Sequence, residues 1–166
     1  MLKTVKQIGA ATQPAATAAS GDLRIAAPGG KWNLVLKKAG FEDVQEQSSG
    51  RAKMASAANE DGWALSIFFE PSQKPGDATV ARGFYEERLK RSPLDRADMK
   101  LGGDGKKATC TYMIKEIEQK HINVYLVREA VWVDVHISKI EFGPRDQKML
   151  DEIVSSIRTE TVATKK

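Results

Sequence analysis

Cysteine is almost missing from this chain: Cys110 stands alone among 166 residues. A single thiol closes no internal disulfide, so the fold has to rest on its packed core. Histidine is nearly as scarce, with only His121 and His136. No stretch approaches the roughly 20 consecutive apolar residues that span a bilayer as a helix. No serine sits in the Gly-x-Ser-x-Gly turn of an α/β-hydrolase. The glycine-rich run Leu101 to Lys107 lacks what a phosphate-binding loop needs. Lys100 replaces the first glycine, Lys107 replaces the Ser or Thr, and a strand pattern follows instead of a helix.

A clustered positive field is also absent, although the isoelectric point near 9.1 suggests one. Residues 1–21 and 158–166 each carry a net +2, and the 21 basic and 21 acidic residues of 22–157 cancel. A nucleic-acid groove would show as clustered charge in the folded part, so the distribution argues against nucleic-acid binding and none is expected. Hydrophobic content of 41% and charged content of 29% suit one globular domain with a core of its own.

Period-two alternation dominates residues 108–139. Ile122, Val124 and Leu126 fall on even positions, and Val131, Val133, Val135 and Ile137 on odd ones. A short turn at Glu129-Ala130 sets Leu126 opposite Val133 and Val124 opposite Val135, which gathers both sets on one face. Ala108, Cys110, Tyr112 and Ile114 alternate in the same way, and the expectation is that all three strands share this buried face, with Cys110 a small buried hydrophobe. The opposite face then carries His121, Asn123, Tyr125, Trp132, Asp134 and His136, and is expected to be wet or lightly covered.

That polar and aromatic face is the candidate ligand-binding surface. His121, Asp134 and His136 on it are the candidate ligands of a zinc or copper ion, the one metal the sequence suggests. No other cofactor is implied. Ser138, His136 and Asp134 resemble a hydrolase triad only in composition. At i, i+2 and i+4 of one strand their side chains run parallel, whereas a triad must converge.

The remaining elements follow in order. Residues 1–21, rich in Ala, Thr and Ser, read as a flexible tail and a possible membrane tether. Leu23 to Ala27, Trp32 to Leu36 and Phe41 to Gln47 read as strands, the last broken by Ser48-Ser49-Gly50. Arg51 to Ala58 and Trp63 to Glu70 form a hairpin through Asn59-Glu60-Asp61-Gly62. Asp77 caps a helix that runs to about Arg91, in which Gly83 is expected to permit close packing. Residues 94–107 are read as a polar loop. Pro144 opens a last helix with Met149, Leu150, Ile153, Val154 and Ile157 along one side. Residues 159–166 are expected to fray as a polar tail, leaving 22–158 as one α+β domain.

The segment Ala27-Pro28-Gly29-Gly30-Lys31-Trp32, the mid-chain helix, the glycine-containing turn into a long meander and the closing Leu150 to Ile157 together resemble the PsbP-like (PsbP/DcrB-type) domain family. The extra Gly-Gly before Trp32 and the charged 95–100 segment depart from that pattern. The resemblance implies an α/β/α sandwich around an antiparallel sheet. It also implies a non-enzymatic accessory or binding role in an exported or envelope-associated bacterial protein, periplasmic in placement, with a protein or small ligand as partner. The alternative is a small metal-assisted enzyme using the His121, Asp134 and His136 face.

Overall fold

The computed structural model describes residues 21–163. The tail expected at 1–21 lies, apart from Gly21, outside the described residues. In chain order the elements are β1 (Asp22–Ala26), β2 (Trp32–Lys37), β3 (Gln45–Ser49), β4 (Ala52–Ala58), β5 (Trp63–Pro71), α1 (Ala78–Lys90), β6 (Ala97–Gly103), β7 (Ala108–Ile114), β8 (Gln119–Arg128), β9 (Val131–Lys139), α2 (Asp146–Ser156) and β10 (Arg158–Thr161). They build an α+β domain from two antiparallel sheets. One has seven strands in the order β3-β4-β5-β9-β8-β7-β6, and the other has three in the order β1-β2-β10.

The β8–β9 hairpin has the expected register, with Leu126 opposite Val133 and Val124 opposite Val135. Its turn residues Glu129 (φ 50°) and Ala130 (φ 57°) both adopt left-handed backbone. A two-residue connection demands this, because its twist must match that of the strands. The β4–β5 turn is held by Asn59, whose Oδ1 accepts from the backbone N–H groups of Asp61 and Trp63, both at 3.1 Å.

The large sheet is apolar on one face throughout its middle. Leu65, Ile67, Phe69, Ile122, Val124, Val133, Val135 and Ile137 pack there against Ile25, Trp32, Leu34 and Leu36 of the small sheet and Leu150, Ile153 and Ile157 from α2 and its end. α2 lies against β2. The other face carries α1, which packs on β7 and β8 through Ala78, Ala81 and Tyr85. Asp77 caps α1 by accepting from the N–H of Thr79 (2.9 Å) and of Val80 (3.2 Å).

Several expectations are corrected. β7 does not share the aliphatic face of β8 and β9. Its register sets Ala108 opposite Tyr125, Cys110 opposite Asn123 and Tyr112 opposite His121. The one-turn helix Lys115–Ile117 and left-handed Glu118 (φ 48°) make a four-residue connection that sets even-numbered residues of β7 opposite odd-numbered residues of β8, so the apolar residues of β7 turn to the α1 side. That face is therefore neither wet nor lightly covered: Tyr125 and Trp132 are fully buried.

Residues 97–103 form edge strand β6 rather than a loop, with a bulge between Ala97 and Lys100 and left-handed Asp98. Residues 158–161 form β10 rather than a frayed tail. β10 is anchored on β2 and by Arg128, which donates to the hydroxyls of Thr159 (2.7 Å) and Thr161 (2.6 Å). β3 begins at Gln45, not Phe41, and includes Ser48 and Ser49; Phe41 is buried in the preceding loop. Gly83 is exposed, and a Cβ there would meet nothing within 4 Å, so it serves no close packing.

Candidate functional site

The six residues expected to form a surface lie mostly inside. Trp132 and Tyr125 have no exposed area, and His121, Asn123 and Asp134 are buried; only His136 is half-buried. α1 closes this part of the sheet. Tyr85 stacks on Tyr125 at 5.4 Å between ring centroids, and Phe84 lies 5.0 Å from Trp132. Four of the polar side-chain atoms of these residues find partners across the hairpin: His121 Nδ1 with His136 Nε2, and Asn123 Nδ2 with Asp134 Oδ1.

The partners follow one rule. Ser138 Oγ accepts from Gln119 Nε2 (3.3 Å), His136 Nε2 shares a proton with His121 Nδ1 (2.9 Å), and Asp134 Oδ1 accepts from Asn123 Nδ2 (2.9 Å). Directly opposite in the backbone are Ser138 and His121, His136 and Asn123, Asp134 and Tyr125. Each β9 side chain thus reaches diagonally to the β8 residue two positions before its opposite number, as strand twist favours. The result is a three-rung polar ladder. The two imidazoles lie 12° from coplanar, and Tyr112 stacks on His121 at 4.8 Å with the Arg96 guanidinium 5.1 Å from the Tyr112 ring.

This pairing disposes of the triad geometry. Ser138, His136 and Asp134 each bond to β8 and none to another. Nor do the three expected metal ligands gather: the histidines meet each other, while Asp134 turns to Asn123. Among the described residues no three His, Cys, Asp or Glu side chains converge on one point.

Burial sets the electrostatics. It pushes the Asp134 carboxyl up to about 7, against the opposing pull of the Asn123 hydrogen bond. It pulls His121 down to about 4, helped by His136 and Arg96, and holds His136 below the usual imidazole range. Cys110 is pushed up to about 11, again by burial, so its thiol is inert. Several polar atoms in this layer have no protein partner: His121 Nε2, Asn123 Oδ1, Tyr125 OH and Trp132 Nε1. The two histidines of this layer engage each other, and Asp134 engages Asn123.

The accessible surface is the continuation of the same face. Across β5, β4 and β3 it presents Ala64, Ser66, Phe68 and Glu70, then Met54 and Ser56, then Gln45, Gln47 and Ser49. α1 touches this surface only at Glu70, through Tyr85 and Arg88; Met54, Ser56, Ser66 and Phe68 keep part of their surface, and β3 is exposed throughout. Where this open half meets the helix there is a trough of ≈ 710 Å³, lined by Glu70, Pro71, Gly83, Phe84, Arg88 and Arg91 among others. A shallower depression beside it shares Ala52 and Glu70 and runs on over Met54 and Phe68 to Gln47. The sequence holds one sign of this. Trp63, Leu65, Ile67 and Phe69 alternate inward, so Phe68 is an aromatic in the outward phase of its strand.

No protein-family model matches the chain, and no curated protein matches it. Solved structures do. The Ran-binding protein Mog1p of Saccharomyces cerevisiae superposes with a TM-score of 0.51 at 13% identity, covering 88% of this chain and 98% of that one. The cyanobacterial PsbP protein CyanoP of Synechocystis superposes with a TM-score of 0.53 at 17% identity, covering 90% and 98%. At these identities the likeness is one of fold: the chain has the α+β architecture of PsbP and Mog1.

Proposed function

We propose that the protein is a non-catalytic binding or accessory module that engages a protein partner through the open β3–β5 half of its large sheet. The observation that carries this is the placement of Phe68 and Met54 on a rigid, helix-free sheet surface, beside a trough walled by α1. The buried ladder of His121, Asn123, Asp134 and His136 then serves to specify the β8–β9 pairing and supports the surface from behind. A protein partner accords with the same fold being used by a Ran-binding protein in yeast. The small-residue composition of residues 1–21 supports an exported, periplasmic or envelope-tethered placement, which cell fractionation of the native protein tests. No helix among the described residues is long and apolar enough to cross a membrane.

The test is site-specific photo-crosslinking in the source cells. A photoreactive side chain at position 68 is expected to give a discrete adduct that Met54→Glu abolishes. The same group at exposed Ile117, on a far turn, is expected to give none. Equal labelling at both sites would overturn the reading. The metal-assisted alternative makes the opposite demand on the histidines. Zinc or copper should leave the His121 and His136 ring signals in place; saturable shifts confined to residues 121–138 would favour the metal site instead.

A further inference from the structure

We propose that the trough between α1 and β5 receives an acidic peptide segment carrying one apolar side chain. This rests on the binding reading above and names the chemistry of its partner. Three cations line the trough: Lys74, Arg88 and Arg91. Its two carboxylates are already answered within the protein. Glu70 accepts from the Tyr85 hydroxyl at 2.9 Å and has Arg88 at 3.6 Å, and Glu87 pairs with Lys90 at 2.6 Å. Lys74 and Arg91 form no ion pair with any described residue. The unanswered charge in the trough is therefore positive, and its complement is a carboxylate.

The apolar seat lines the same trough as those cations. Phe84 is half-buried on Trp132, and the Arg88 guanidinium sits 5.8 Å from the centroids of both Phe84 and Tyr85. Beside it Gly83 has no side chain and open space above its Cα. An aromatic or aliphatic side chain can settle on that floor with carboxylates on either side of it. A continuous phosphate polyanion fits less well. It would meet Glu70 on β5 and Glu87 on α1, whereas the carboxylates of a peptide can be spaced around them.

The experiment is a proton–nitrogen NMR titration of the labelled full chain. The probe is an acetylated peptide of Asp and Glu with one Phe. The controls are the Lys counterpart with the same Phe and a single-stranded oligonucleotide. Expected shifts are confined to Ala52, residues 70–74 and residues 83–91, with affinity falling as salt rises. Lys74→Glu with Arg91→Glu should weaken binding about tenfold while leaving the remaining spectrum unchanged. Gly83→Leu, which fills the seat without changing charge, should weaken it as well. Equal binding of the Lys peptide, tighter binding of the oligonucleotide, shifts elsewhere, or indifference to the double charge reversal would each overturn the proposal. The crosslink at position 68 separates the two levels. An adduct that survives Lys74→Glu/Arg91→Glu sinks the acidic-segment inference and leaves the binding reading standing. No adduct in the unaltered protein sinks both.

Discussion

The two halves of one sheet face, identical in register logic, have opposite fates. Over β7, β8 and β9 the face carries histidines, an aspartate and an asparagine, yet it is largely buried. Over β3, β4 and β5 it carries mostly alanine, serine and glutamine, yet it stays open. Polarity of side chains does not decide which half is wet. The decision is made by where one 13-residue helix lies. α1 approaches β7 and β8 through Ala78 and Ala81, whose small side chains bring its backbone close. It then covers the half that has aromatic rings to meet it, Tyr125 and Trp132. The uncovered half has none at its centre except Phe68.

Removing the aromatic floor from the covered half should have the largest effect. Trp132→Ala leaves a void under Phe84 and Tyr85 and should destabilise the domain by about 3–5 kcal/mol, read as a lowered midpoint in urea. A variant that loses under about 1 kcal/mol would mean that the two halves are not energetically distinct.

Asp134 sharpens the contrast through pH. Its folded pKa, about 7, lies above the unfolded value of 3.8. The stability this proton supplies is full below about pH 4 and is lost as pH rises through 7. Asp134→Asn should therefore gain on the wild type by a few kcal/mol between pH 4 and pH 8, since each tenfold change in proton affinity is worth about 1.4 kcal/mol. The facing groups are Asn123, Glu70, Arg88 and Tyr85. The histidines act with the opposite sign. Their depressed pKa values give stability that is present above the ordinary 6.5 and lost as pH falls, for His121 through about 4. His121→Gln should flatten the acid limb only. Denaturation midpoints across pH 3.5 to 8.5 check both, and parallel curves for wild type and Asp134→Asn would show that the carboxyl is solvated.

On the open half, and on the exposed side of α1 beside it, the effects should be small and of either sign. Gly83→Ala, at an exposed helical position with free space around it, should stabilise by about 1 kcal/mol. Phe68→Ser should cost less than about 1 kcal/mol in a thermal melt while removing the photo-crosslinked adduct made from position 54. A Phe68 variant that fails to fold would make it a core residue and close the surface reading.

Much of this fold is legible from alternation alone. β5, β8, β9 and both helices carry clean periods, β4 follows from the Asn59-Glu60-Asp61-Gly62 connector, and the Glu129-Ala130 turn follows from matching apolar phases. What escapes is what carries no period. β6 is an edge strand with Met99 and Leu101 exposed beside Asp98 and Lys100, and β10 is four residues long. The face of β7 escapes for a different reason. Tyr112, Cys110 and Ala108 have the right period, but the parity of the 115–118 turn, which alone fixes their face, is written in backbone conformation. The candidate site moves with it. Once β7 turns its apolar residues to the α1 side, the face of His121 and Asp134 becomes a second core, and the accessible surface shifts to Phe68.

The small sheet adds a constraint on time. β2 lies between β1, made at the start of the domain, and β10, made at its end, with Val35 facing Arg158. During synthesis β2 has one neighbour early and waits for the other through more than a hundred residues of chain. Until Arg158 to Thr161 arrive, an edge bearing Leu34 and Leu36 remains unpaired and open to any extended chain nearby. The closing strand is short, polar and clamped by Arg128. It works as a latch, and the nascent domain is at its most vulnerable just before the latch is set.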